Sequence, residues 1–231
     1  MASRTRSNPL ALAVLTLLHE RPMHPYEMSG TLRERRKEDS IKLNYGSLYS
    51  VVESLVKRGL IAPHETIRDG KRPERTVYVI TESGKAEMTD WLSDLLGRPA
   101  KEFTQFEAAL SLMAIFGPDE VLRLLDIRLA TLREQEATYY ATLAGMPENF
   151  PRIFLIESEF RAKLLRTEIE FVEDLAKELR EGTFHGLDLW RRLQRLRESG
   201  ASPAELDQEL TNEFGEELEW IDKLSKEAPR R

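Results

Sequence analysis

Ser47, Tyr49 and Ser50 crowd three hydroxyl groups into one short stretch, and Lys57 follows a little further on. A second stretch, RDGKRPER at residues 68–75, gathers Arg68, Lys71, Arg72 and Arg75 around an Asp-Gly pair. Hydroxyls exchange hydrogen bonds with anionic oxygens or with the polar edges of planar rings, while Lys and Arg neutralise closely spaced negative charges. This is recognition chemistry. Bond-breaking would need convergent groups, and the patterns for it are missing. His19, His24, His64 and His185 lack metal-ligand spacing, and the chain has no HExxH, no GxSxG and no dinucleotide glycine fingerprint. ESGK lacks the upstream glycine of a phosphate loop. With no cysteine there is no disulfide, Cys-bound zinc or thiol nucleophile, which fits a reducing cytoplasm. No enzymatic activity, metal or cofactor is expected.

The hydroxyls lie in NYGSLYSVVESLVKRGLI, from Asn44 to Ile61. At the helical repeat Leu48, Val51, Val52 and Leu55 share one side, and Gly46, Ser47, Ser50, Glu53, Ser54 and Lys57 cover the other. One face packs and the other shows small polar groups. Gly59 stops this helix and Leu60-Ile61 opens an extended run, so the apolar period changes from helix to strand at a glycine. The cations sit between IAPHETI and TVYVI, which read as two short strands joined at the Asp-Gly turn. A basic hairpin following a polar-faced helix has the form of a wing beside a DNA-reading helix. Read singly, the helix is an ordinary amphipathic one and the hairpin an ordinary charged turn; together they form a pattern.

The elements before and after complete it. Asn8 caps a helix from about Pro9 to Glu20, with proline at its first position. Arg21-Pro22 breaks it, and a second helix runs from about Pro25 to Arg36. Three helices in roughly 50 residues, the third polar-faced, fit a helix-turn-helix core. After the hairpin Thr81 caps a fourth helix, TESGKAEMTDWLSDLL, and Gly97-Arg98-Pro99 marks a domain boundary, giving domains at 1–97 and 98–231.

The second domain reads as helical throughout. FTQFEAALSLMAIF, 103–116, is a short apolar helix stopped by Gly117-Pro118. Val121, Leu125, Leu129, Leu132, Tyr140 and Leu143 set a long helix from Asp119 to Leu143, and AGMPENFP turns the chain. Ile153, Ile156, Phe160, Leu164, Phe171, Leu175 and Leu179 carry a partner helix from Arg152 to Arg180, which must run antiparallel to the first. One such hairpin cannot bury both stripes alone, so a second copy of the chain is expected to cover them. FHGLDLWRRLQRLRES and PAELDQELTNEFGEELEWIDKLSKE are helical too, and either embrace the partner or extend the hairpin core. The fold class is therefore mainly α with a small β-hairpin: a winged helix-turn-helix domain, then an α-helical dimerisation domain built on a long antiparallel helix pair.

The chain has 231 residues, 41% of them hydrophobic, enough for two cores. Its net charge of −6 is unevenly spread. Residues 1–100 hold 16 Lys and Arg against 13 Asp and Glu, or +3, and residues 101–231 hold 18 against 27, or −9. Steering follows the local field, so the first half suits a polyanion and the second does not. The opening MASRTRSNPLALAVLTLL could pass for a secretory signal, but no small-residue cleavage site follows and its apolar run is far too short to span a bilayer. No membrane partner is expected.

From Pro9 to Leu96 the sequence resembles the winged-helix domain of the PadR family of bacterial transcriptional regulators. The resemblance is carried by MHPYEM, YGSLYSVVESLVKRGLI and GKRPERTVYVITESGK, in that order. EAALSLMAIFGPDEVLRLLDIRLATL is similar to the family's helical dimerisation region, and from Phe184 onward the likeness fades. Members often carry Arg or Lys around the positions of Ser50, Glu53 and Ser54, so this chain departs from the family there and a bidentate arginine on guanine is not expected from this face. The resemblance implies a homodimeric regulator of transcription, most simply a repressor of a nearby operon that releases a pseudo-palindromic operator when a small-molecule effector acts on the helical domain.

On that reading Ser47, Tyr49 and Ser50 meet phosphates or base edges. Lys57, Lys71, Arg72 and Arg75 hold the double-stranded DNA backbone, and Arg4 and Arg6 form an arm. Phe150, Phe154, Phe160 and Trp190 are the aromatic residues available to an effector pocket, although aromatics at helical spacing more commonly build a core. Two other readings remain open: a winged-helix module that binds protein instead of DNA, and an activator or a regulator blind to ligands.

Overall fold

Asn8 starts the first helix as its sequence requires. Its Oδ1 accepts the Leu10 N–H at 3.1 Å, and Pro9 behind it has no N–H to satisfy. The computed structural model describes residues 8–67 and 75–227, in two compact units, Met1–Glu102 and Phe103–Arg231.

In the first unit α1 (Pro9–Glu20) is apolar on nearly every side and is buried accordingly, at every position from Leu10 to Leu18 except Ala13 and Thr16. Around it stand α2 (Pro25–Glu34), α3 (Tyr45–Lys57) and α4 (Glu82–Gly97), with β1 (Ile61–Ile67) and β2 (Arg75–Ile80) between the last two. Leu48, Val51, Val52 and Leu55 of α3 join Met28, Leu32 and Trp91 in one core. α2 ends at Glu34, short of the expected Arg36, because Arg36 turns left-handed at φ 53° and opens a 3₁₀ turn at Lys37–Asp39. β1 and β2 pair antiparallel, Ile61 opposite Ile80, with an irregularity between Pro63 and Glu65. Pro63 faces Tyr78 and has no N–H to give. Tyr78 instead exchanges both backbone bonds with Met23 on its other side, donating at 3.0 Å and accepting at 3.2 Å. The link between α1 and α2 is thereby stitched to the hairpin.

The second unit contains α5 (Gln105–Leu112), α6 (Pro118–Ala144), α7 (Ile156–Glu181), α8 (Leu187–Glu198) and α9 (Pro203–Glu227), the last kinked at Phe214. The segment expected as one helix from 103 to 116 is α5 followed by a 3₁₀ turn, Met113–Ile115, and α7 begins at Ile156 after a 3₁₀ turn at Arg152–Phe154. α6 and α7 run antiparallel, as Asp126 pairs with Arg180 and Glu136 with Arg166, both at 2.7 Å. Their core is Val121, Leu125, Leu129 and Leu132 against Ile169, Val172, Leu175, Ala176 and Leu179. α5 is held down by Phe106, whose ring lies 3.7 Å from the Arg128 guanidinium while Arg128 Nε donates to Glu168 at 2.7 Å.

The expected stripe of α7 divides in two. Leu175 and Leu179 are buried, but Ile156, Phe160, Leu164 and Phe171 are 48–64% exposed. The helix has two apolar faces, and α6 covers one.

α8 closes on the bend between α5 and α6. The Trp190 indole N–H donates to the Phe116 carbonyl at 2.8 Å and Arg197 donates to the Ala114 carbonyl at 2.5 Å. Residues 184–198 therefore extend the hairpin core of their own chain. α9 is tied to α8 through Arg192, which meets Glu209 and Glu213 at 2.7 and 2.8 Å.

Candidate nucleic-acid interface

α3 is set by its two ends. At its start Asn44 Oδ1 accepts the Ser47 N–H at 3.0 Å. At its end Gly59 takes φ 69°, which glycine adopts without strain, and turns the chain into β1. Thr81 locks that turn: its hydroxyl lies 2.8 Å from the Gly59 carbonyl and 3.0 Å from that of Leu60, and it caps α4 by accepting the Gly84 N–H at 3.0 Å. Arg58 and Glu87 pair at 3.0 Å across the same junction. The orientation of α3 is thus fixed by bonds on its inner side, leaving the outer side bare.

That outer side carries Ser47, Ser50, Glu53, Ser54 and Lys57, all exposed, with Tyr49 beside them at 44% exposure. Ser50 donates its hydroxyl proton to the Gly46 carbonyl of its own helix at 3.0 Å. An open concavity of about 600 Å³ lies along the start of the helix, lined by Gly46, Ser47, Ser50 and Ser54 together with Asn44 and Asn8. Asn8 lines this concavity as well as capping α1, and nothing in local spacing signals it, because only the fold brings the start of α1 beside the start of α3.

Arg75 is exposed at the first position of β2. Its charge reaches His24, whose imidazole is held below the usual histidine range chiefly by burial and then by Arg75, against a smaller opposing effect from Glu27. His24 is a helix cap, accepting the Tyr26 N–H on Nδ1 at 3.1 Å. Arg4, Arg6, Lys71 and Arg72 lie outside the described residues.

The aromatic residues considered for an effector do not gather around one cavity. Phe150 and Phe154 stack edge-on at 6.0 Å, 37% and 69% exposed, and Phe160 is 64% exposed. Trp190 is 7% exposed and packed against Phe184, so it is a core residue and not a pocket wall. Among the described residues no cluster of His, Asp or Glu is placed to hold a metal ion, and no helix is long and apolar enough to cross a membrane.

Three packed helices, the third with a bare polar face, followed by an antiparallel hairpin and a closing helix, define a winged helix-turn-helix protein. Residues 14–90 match the Transcriptional regulator PadR-like family, so that segment is similar to PadR-like regulators. The match ends within α4 and leaves the second unit outside it.

Solved structures extend the likeness in fold. Bacillus subtilis PadR in complex with operator DNA is 18% identical, covering 74% of this chain and 99% of that one at a TM-score of 0.56. Bacillus subtilis PadR in complex with p-coumaric acid is 17% identical, covering 74% and 98% at 0.57. A PadR-like transcriptional regulator from Bacillus cereus is 13% identical, covering 75% and 99% at 0.52. No curated protein matches the chain by sequence.

Proposed function

We propose that this protein is a cytoplasmic, sequence-specific DNA-binding regulator acting as a homodimeric repressor of a nearby operon, relieved by an effector that acts on its second unit. The observation that carries the reading is the outer face of α3: exposed, uncharged over its first turns, fixed from behind, and set in a segment matching a family of transcriptional regulators. α3 enters the major groove with Ser47, Tyr49 and Ser50 toward phosphates or base edges. Lys57, Arg75 and the hairpin cations Lys71 and Arg72 hold the backbone, and Arg4 and Arg6 add an arm.

The second copy is proposed from α7. Ile156, Phe160, Leu164 and Phe171 leave an apolar stripe in water, and burying it is worth roughly 25 cal/mol per Å². Two reading helices then address half-sites of a pseudo-palindrome about 34 Å apart. The operator-bound and p-coumaric acid-bound structures of PadR support both the DNA and the effector parts of this reading. With Trp190 in the core, the exposed Phe150, Phe154 and Phe160 are the aromatic contacts left for an effector.

Binding to duplexes from the chain's own promoter region, followed by anisotropy across a salt series, tests the proposal. Tight binding at low salt that falls steeply with log salt is expected. The Lys71→Ala, Arg72→Ala, Arg75→Ala triple variant flattens the slope by about 0.9 for each phosphate contact removed. Equal affinity for every duplex would overturn sequence-specific regulation.

A further inference from the structure

We infer that α3 selects bases presenting an exocyclic amino group in the major groove, through a pair of hydrogen-bond acceptors, Ser50 and Glu53. The inference rests on the reading of α3 as the groove helix and adds which base edges it takes.

The Ser50 hydroxyl proton is directed inward to the Gly46 carbonyl at 3.0 Å. What Ser50 offers outward is therefore its oxygen lone pairs, not its proton. Glu53, one turn further along and likewise exposed, presents a carboxylate, whose oxygens accept. Residues three apart share a helix face and stand roughly 4.5 Å apart along its axis. That is close to the rise of about 3.4 Å between base pairs, so the two acceptors address neighbouring pairs.

Major-groove edges differ in what they give back. Cytosine N4 and adenine N6 donate, whereas guanine O6 and N7 and thymine O4 only accept. A carboxylate brought against guanine or thymine meets another acceptor beneath a canopy of phosphates, with repulsion from both. The same carboxylate against cytosine N4 or adenine N6 gains a charge-assisted bond. Glu53 thus rejects as much as it selects, a form of specificity built on penalties for wrong partners. No arginine or lysine on the outer face before Lys57 competes for guanine. Affinity is left to the cations at the end of α3 and in the hairpin, and the face between reads amines.

Selection from random duplexes with the wild-type chain, Ser50→Ala and Glu53→Ala tests this, and both side chains are exposed, so the variants keep the fold. The wild type is expected to prefer cytosine or adenine at two adjacent positions of each half-site, and each variant to lose its preference at one of them. N4-methylcytosine or N6-methyladenine at those positions replaces the groove-facing hydrogen by a methyl group. It should weaken wild-type binding roughly 5-fold or more and leave the matching variant indifferent. Whichever analogue acts identifies the base. Unchanged preferences in the variants, or wild-type tolerance of both analogues on either strand of the selected pairs, would overturn amine reading while leaving DNA recognition standing. If the wild type selects no sequence, both readings fall together.

Discussion

Gly84 stands so close to Leu60 that a methyl group on its α-carbon would lie 2.0 Å from the Leu60 carbonyl oxygen. The contact is to backbone, which cannot swing aside, so α4 can approach the start of the hairpin only with glycine at this point. Gly84→Ala is expected to destabilise the first unit by at least roughly 1–3 kcal/mol, the range of overpacked cores. Urea unfolding of the variant beside the wild type checks it; an unchanged midpoint would mean that α4 has room to shift.

His24 makes the first unit sensitive to acid. Its Nδ1 accepts the Tyr26 N–H, so the cap needs neutral imidazole, and the folded-state pKa is lowered by burial and by Arg75. The unfolded state then binds the proton more readily than the folded one, so stability rises with pH in this range. The contribution is full above the ordinary histidine value and is lost as the pH falls through the depressed one. Thermal midpoints measured from about pH 7.5 to 5.5, roughly 1 unit either side of the free imidazole value, should fall more for the wild type than for His24→Asn. Asparagine keeps a capping oxygen and has no proton to gain.

Trp190 separates packing from hydrogen bonding. Trp190→Phe retains most of the ring in the α6–α7 core and loses the bond to the Phe116 carbonyl, a change of about 1 kcal/mol. Trp190→Ala also opens a cavity and should cost roughly 3–5 kcal/mol. Equal losses for the two variants would place the whole effect in the indole N–H.

The bare side of α7 offers a test of self-association. Phe160→Glu with Phe171→Glu sets charges on the exposed stripe without entering the buried one. Sedimentation should show the double variant as a single subunit at concentrations where the wild type is paired, with far-ultraviolet circular dichroism unchanged. A wild type that is itself monomeric would remove the second copy from the proposal.

Local signals carried most of the first unit. Asn8 and Thr81 act as the caps their types suggest, and Gly59 turns helix into strand. Each rests on one or two neighbouring residues, which is the range over which sequence speaks directly. The bond between Met23 and Tyr78 had no such signal, since a single bridging residue leaves no period to read. Which part of the α7 stripe stays uncovered is likewise not legible, because hydrophobic residues at three- and four-residue steps mark an apolar side without saying how much of it a neighbour buries. Helical spacing favours a core place for Trp190 over a pocket wall, and its burial and its bond to the carbonyl of Phe116, far away in sequence, put it in the core.

Trp91 is 1% exposed in the first unit and Trp190 is 7% exposed in the second, so each unit encloses an indole of its own. A chain carrying Trp220→Phe has two fluorophores, one per unit, and a further Trp91→Phe or Trp190→Phe leaves one. The emission of such chains during denaturation reports each unit separately, and shows whether the two melt in one event or in two.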